Sequence, residues 1–263
     1  MIKKSPTAAV LLIGDELLSG RTRDINLQQI ASYLAPLGIP VRETRIVPDV
    51  EDEIVEAVNS LRAKYTYVFT TGGIGPTHDD ITADAIAKAF GVEISEHPEV
   101  TAMLAKRYEE MGTDYTPARR RMARIPHGAQ IVANPVSGAP GFQTENVFTL
   151  AGVPSVARAM LEDIGPRLET GAVIHKITIR GRGLREGDIA EPLGALAKEM
   201  PDVALGSYPW FRGIGDNGVH LVASTIQESL IPMITDKLEA IILSESTEIA
   251  AVMLSKIAVT KAA

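Results

Sequence analysis

The chain has 263 residues, 45% of them hydrophobic and 22% charged, with a formal net charge of −7. That supports one large or two modest cored domains, and the acidic balance excludes a general nucleic-acid binder, which needs a basic surface. The absence of cysteine excludes disulfides, thiolate metal sites and a thiol nucleophile.

Residues 8–13 are a continuous apolar run, as expected of a central strand covered on both faces. Asp15 and Glu16 interrupt the run too early for a signal peptide, and no run reaches membrane-spanning length. A cytoplasmic protein without a membrane partner is therefore expected. The strand ends in GDELLSG at 14–20. A helix follows, with Leu27, Ile30, Leu34 and Leu37 on one stripe and Gly38 as its stop. Residues 41–47 read as the next strand, which places Asp49 just before a helix carrying Ile54, Val55, Val58 and Leu61.

A third strand, 65–69, runs into Thr70–Thr82, TTGGIGPTHDDIT, ahead of a helix with Ile81, Ala85, Ile86 and Phe90 that ends at Gly91. Three glycines and a proline between a strand and a helix leave bare N–H groups and a helix dipole facing an anion. The adjacent carboxylates Asp79 and Asp80 would repel a phosphate unless a divalent cation such as Mg²⁺ lay between them. The alternative is that Asp79 or Asp80, and likewise Asp49, serves as a helix N-cap.

Helical patterns fill 98–123. Arg119, Arg120, Arg121 and Arg124 read as a solvated helix face in preference to a phosphate clamp. A second glycine loop spans 134–141, a strand 147–150, and a helix 155–168, with Gly152-Val153-Pro154 a further candidate pocket wall. Composition changes near Glu169-Thr170-Gly171. Beyond it the expected order is a strand at 175–180, a turn at 180–183, a helix at 188–200 and strands at 203–208 and 219–225. A hairpin turn at Asp216-Asn217-Gly218 joins the two strands, a helix follows at 227–243, and a last helix covers 246–263.

The fold class expected is α/β: a three-layer, doubly wound, mostly parallel sheet over 1–170, then a small α+β domain (β-α-β-β-α) over 171–263 with a C-terminal helix. Such a sheet gathers Asp15, Glu16, Asp49, Asp79 and Asp80 at the carboxyl rim of its strands. A carboxylate cluster facing glycine loops suits metal-assisted attack on phosphorus. His78 sits inside the key loop, but no H-x-x-H pair marks a zinc site. No G-x-S-x-G elbow, Walker loop or Rossmann fingerprint occurs.

GDELLSG at 14–20, TGGIGPTHDD at 71–80 and NPVSGAPGF at 134–142 together resemble the molybdopterin-binding domain family. That family includes MoaB and MogA proteins, the N-terminal domain of CinA and a half of eukaryotic FAD synthases. The resemblance covers the first two-thirds of the chain and is greatest to the CinA branch. It implies a metal-dependent nucleotide pyrophosphatase, using Mg²⁺ or Co²⁺, that cleaves ADP-ribose or a similar dinucleotide and releases AMP. Two alternatives are a molybdopterin-binding or molybdopterin adenylyltransferase protein and a non-catalytic nucleotide-binding module.

The resemblance further implies catalytic roles for Asp49 and Asp80, and metal ligation by Asp79 and Asp80. A nucleotide or pterin phosphate would be bound by Gly14, Asp15, Glu16, Gly20 and Asn26 from the first segment. The second segment would contribute Thr71, Gly72, Gly73, Gly75, Pro76 and Thr77. The third would contribute Asn134, Gly138, Ala139, Pro140 and Gly141, joined by Gly152 and Pro154. A homo-oligomer, dimer or trimer, is implied as well. The chain stops before the nicotinamide-mononucleotide deamidase domain of full-length CinA, so that activity is expected to be absent. It departs from the CinA pattern at Met122, at Ser137-Gly138 and at Ala151.

Overall fold

The structure, a computed structural model, describes residues 5–213, 215–245 and 249–255. It divides into two compact units, Met1–Gly171 and Ala172–Ala263.

In the first unit, β1 (Ala8–Ile13) leads through a single turn, α1 (Asp15–Leu18), to α2 (Asn26–Leu34) and β2 (Val41–Val47). Then come α3 (Glu51–Lys64), β3 (Tyr67–Thr71), α4 (Thr82–Phe90), β4 (Ile94–Glu96), α5 (Pro98–Glu110), the short α6 (Pro117–Arg120) and β5 (Arg124–Pro126). β6 (Gln130–Val132), β7 (Gly141–Thr144), β8 (Val147–Leu150) and α7 (Pro154–Ile164) complete it. The main sheet has the order β2-β1-β3-β8-β7-β6. Its first four strands are parallel; β7 runs against them, and β6, antiparallel to β7, runs with them again.

Every residue of β1 is buried, which is what its unbroken apolar run dictates. Ala9, Leu11 and Ile13 pack with α3, α4 and α5 on one face, and Ala8, Val10 and Leu12 pack with α2 and α7 on the other. Helices on both faces make three layers, as expected. Gly38 and Gly91 take left-handed φ of 69° and 65° and end their helices where predicted. A two-stranded β4–β5 ribbon, not foreseen from its short irregular segments, packs against α4.

The second unit comprises β9 (His175–Arg182), α8 (Glu186–Glu199), β10 (Ala204–Gly213), β11 (Asp216–Thr225), α9 (Ile231–Glu245) and β12 (Ile249–Ser255). The strands form an antiparallel sheet of order β10-β11-β9-β12, a split β-α-β arrangement. The C-terminal helix expected over 246–263 is corrected here: residues 249–255 form β12, and the rest of that span lies outside the described residues. A short apolar run is ambiguous between helix and strand, and the free edge of β9 decides it. Two turns move as well. Residues 180–182 finish β9, and 216–218 lie within β11, because the long β10–β11 ladder carries pairing out to Gly213↔Asp216.

Candidate active site

The parallel strands end at one rim, and the crevice between β1 and β3, where chain direction across the sheet reverses, opens there. Gly72 forms the floor of this crevice. Its φ is +104°, and a Cβ on it would stand 2.1 Å from the carbonyl oxygen of Ile13. Gly73, at φ +66°, lies so close to Thr82 that a Cβ would meet the Thr82 hydroxyl at 2.1 Å; in return Thr82 N–H donates to the Gly73 carbonyl at 2.9 Å. The chain can therefore turn from β3 towards α4 only with glycines at these positions.

Asp80 closes the turn. Its Oδ2 accepts the N–H of Thr77 at 2.8 Å and the Thr77 hydroxyl at 2.5 Å, and it lies against Gly75. Arg121 donates to the main-chain carbonyl of Asp80 at 3.0 Å. The N-caps of α4 and α3 are Ile81 and Val50, and neither makes a side-chain cap bond, so the capping alternative for Asp79, Asp80 and Asp49 does not hold. Asp49 instead accepts the N–H of Asp15 at 3.0 Å. Burial, and then the nearby charges of Asp15, Glu16 and Asp79, push the Asp49 carboxyl above its usual range, outweighing the opposite effect of that hydrogen bond.

The third loop is shaped by Asn134, whose Oδ1 accepts the N–H groups of Val136 and Ser137 and whose Nδ2 donates to the Ala139 carbonyl at 2.7 Å. Arg107 fastens it from outside through the Val136 carbonyl at 2.9 Å. This loop reaches the rim because β7 is antiparallel, so it begins where β8 ends. Beyond β8, the buried Asn26 donates to the Gly152 carbonyl at 2.8 Å and holds the last wall in place.

These loops surround a cleft of about 690 Å³. Glu16, Gly72, Gly73, Gly75, Asp80, Ala139 and Gly152 of the predicted binding set line it, with Ile74, Met122, Val136, Ser137, Ala151, Val153, Ser155 and Val156. Asp15, Asp49, Asn26 and Asn134 act behind the lining through the bonds just described. Gly14, Gly20, Thr71, Pro76, Thr77, Gly138, Pro140, Gly141 and Pro154 are not among the lining residues. Gly141 is a packing residue, since a Cβ there would stand 2.3 Å from the Thr149 carbonyl. Asp79 lies outside the lining too, beside the fully exposed His78 at 3.9 Å. Ser155 and Val156 were missed; Pro154 in the first turn of α7 was their one signal.

The arginine run is not the merely solvated face expected. Arg119 lies 4.5 Å over the ring of Tyr108, Arg120 pairs with Glu96 at 2.7 Å, and Arg124 grips both oxygens of Asp84. Together with Arg121 on Asp80, the four staple this segment to α5, β4, α4 and the glycine turn.

Among the described residues, no three acidic or histidine side chains converge to cage a cation unaided. Mg²⁺ commonly takes one or two carboxylates and completes its shell with water and substrate phosphate. Glu16 and Asp80 are the carboxylates on this cleft that would serve as such ligands.

An α/β domain with a glycine seam and a carboxylate rim is the class defined by this geometry. Residues 9–170 match the family described as probable molybdopterin binding domain, and residues 174–247 match the one described as FAD synthase, middle domain. The chain belongs to the molybdopterin-binding domain family. A protein of Pyrobaculum calidifontis is 39% identical over 212 residues, covering 78% of this chain and 81% of that protein. A CinA-like protein of Gloeobacter violaceus is 36% identical over 197 residues, covering 71% of this chain and 46% of its own length, so the chain spans about half of that relative. The crystal structure of CinA from Thermoplasma acidophilum, described as of unknown function, is 34% identical with a TM-score of 0.58, covering 62% of this chain and 98% of that one. The particular resemblance is thus to CinA-like proteins.

Proposed function

We propose that the first unit is a metal-dependent nucleotide pyrophosphatase that cleaves ADP-ribose or a similar dinucleotide diphosphate. The observation that carries this reading is the placement of the Asp80 carboxylate on the same cleft as the Gly72–Gly75 backbone and Glu16. Backbone N–H groups of the glycine turn orient the diphosphate, and the apolar side chains Ile74, Val136, Val153 and Val156 receive a flat heterocycle. A bound Mg²⁺ or Co²⁺ would neutralise phosphate charge and make its water more acidic. Asp80, which lines the cleft, would hold that cation. Asp49, its proton affinity raised first by burial and then by its acidic neighbours, would take up the proton as water adds to phosphorus and the bond to the bridging oxygen breaks. With ADP-ribose the products are AMP and ribose 5-phosphate.

The family description favours a second reading, in which the same cleft binds molybdopterin; transfer of adenylate to it is the catalytic form of that reading. Purified protein with Mg²⁺ or Co²⁺ is given ADP-ribose, FAD, or ATP with and without molybdopterin, and AMP and diphosphate are measured. AMP from ADP-ribose or FAD is the expected result. ATP consumption that requires molybdopterin would replace it with the second reading, and no turnover of any substrate would leave only a binding module.

A further inference from the structure

The sheet of the second unit has two unlike faces. Ile177 and Ile179 of β9 and Val219, Leu221 and Ala223 of β11 are buried in the core with residues of α8 and α9. The alternate residues face the other way, and Arg180, His220 and Tyr208 stand in one row across β9, β11 and β10. One step along β10, Trp210 lies opposite Gly218, over which the indole lies so close that a Cβ would be 2.9 Å from its Cζ2. Arg180 covers that ring, its Cζ 3.7 Å from the centroid, and Arg212 approaches the same ring at 5.9 Å. His220 stacks at 6.1 Å with an interplanar angle of 24°. Tyr208, leaning over Gly206, is 58% exposed.

A cation–π pair accounts for Arg180 on Trp210 by itself. It does not account for a second guanidinium at the same ring. Elsewhere in this unit Arg182 meets Asp216 at 3.7 Å and Lys237 meets Glu199 at 2.9 Å. Arg180 and Arg212 have no carboxylate partner among the described residues, and the Nε of Arg180 and the Nε1 of Trp210 are buried with no acceptor. Burial, and then these two guanidiniums, also hold His220 below the usual imidazole range. Among the described residues no anion meets this arrangement, and its aromatic rings suit an aromatic one.

We infer that this sheet face binds a free nucleoside phosphate, its base stacked on the Trp210–Arg180–His220 layer and its phosphate held by Arg180 and Arg212. Stacking on an aromatic ring and charge-assisted bonds from guanidinium to phosphate are the two interactions such a ligand needs. The net charge of −7 works against a long polyanion, so the occupant is a mononucleotide and not a nucleic-acid strand. Its residues all belong to the second unit, and the inference does not depend on any activity of the first.

Trp210 is the chain's single tryptophan, so its emission reports on the site directly. Titrating AMP or ADP into the whole protein should quench it saturably, with Kd between about 10 µM and 1 mM. Adenosine, ribose 5-phosphate and inorganic phosphate each supply only part of the recognition and should bind at least about tenfold more weakly. Arg180→Gln and Arg212→Gln should each weaken AMP binding by about tenfold, while Asp80→Asn should leave it unchanged. Arg212 is exposed near the strand end, so its variant is the one to rely on if Arg180→Gln fails to fold. The inference is overturned if about 10 mM AMP leaves the emission unaltered. It is overturned equally if Arg212→Gln binds AMP like the wild type, or if an oligoadenylate quenches where AMP does not.

Discussion

The carboxylate of Asp49 accepts the main-chain N–H of Asp15 at 3.0 Å, tying the turn after β2 to the turn after β1. A bond that fixes two acidic turns side by side also sets their charges against each other. Stability and chemistry therefore pull in opposite directions at this rim.

Asp49→Asn should make the protein more stable and less active. The native state holds the Asp49 proton more tightly than the unfolded chain does, so the ionised form opposes folding once pH exceeds the ordinary aspartate value of 3.8. Asparagine keeps an acceptor for Asp15 N–H and removes the charge. The unfolding midpoint at pH 7 should rise by on the order of 2 °C, with the gain vanishing at about pH 3, while AMP release falls. A lower midpoint at pH 7 would show that the carboxylate stabilises the rim.

Asp80→Asn separates a catalytic carboxylate from a turn-forming one. The amide oxygen introduced by the substitution can still accept from Thr77, so the loop should keep its shape and the midpoint should barely move. Turnover with added metal should drop by about 10²–10³-fold, the usual scale for losing one electrostatic contributor. Wild-type AMP release from this variant would remove Asp80 from the mechanism.

Gly72→Ala tests the crevice floor. Left-handed strain and overpacking against the Ile13 carbonyl should together cost about 3 kcal/mol or more in urea unfolding. Gly20→Ala is the control. Gly20 has φ +72° but no atom within 4 Å of the added Cβ, so it carries strain alone, about 1 kcal/mol. Equal losses in the two variants would mean that the contact with β1 relaxes freely.

Glu43 gathers Lys64 and Tyr65 at 2.7 Å and Arg45 at 2.9 Å, and these bonds lower its carboxyl from 4.5 to about 2. A depressed carboxylate stabilises the fold above its unfolded value and loses that contribution as pH falls towards the folded one. Between pH 4.5 and 2 the unfolding midpoint should therefore fall more steeply in the wild type than in Glu43→Gln. Parallel curves would show that this exposed cluster contributes nothing measurable.

The rim of five acids could be grouped from the sequence because strand–helix alternation forces parallel strands, and parallel strands share one carboxyl edge. Periodicity alone would have kept Asp15 and Asp49 apart. The loop at 134–141 was placed beside them only through family resemblance, since nothing in the short runs at 130–132 and 141–144 announces an antiparallel reversal. Arg107 and Arg121 were beyond reach for a different reason. Each supports the site through a main-chain carbonyl, and a carbonyl leaves no trace in residue identity. The strand at 249–255 depended on the unpaired edge of β9, a tertiary fact that outweighs local helical spacing.

The reversal at β7 has a consequence for how such a cleft can diversify. The other rim loops are parts of crossovers that thread from one sheet position to another, so changing their length disturbs the packing of a whole helix. The 134–141 segment joins β6 to the adjacent β7 at the margin of the sheet and is held mainly by the side chain of one asparagine. It can be exchanged like a cartridge: a graft that retains Asn134 and Gly141 should deliver a new specificity wall to an unaltered glycine seam.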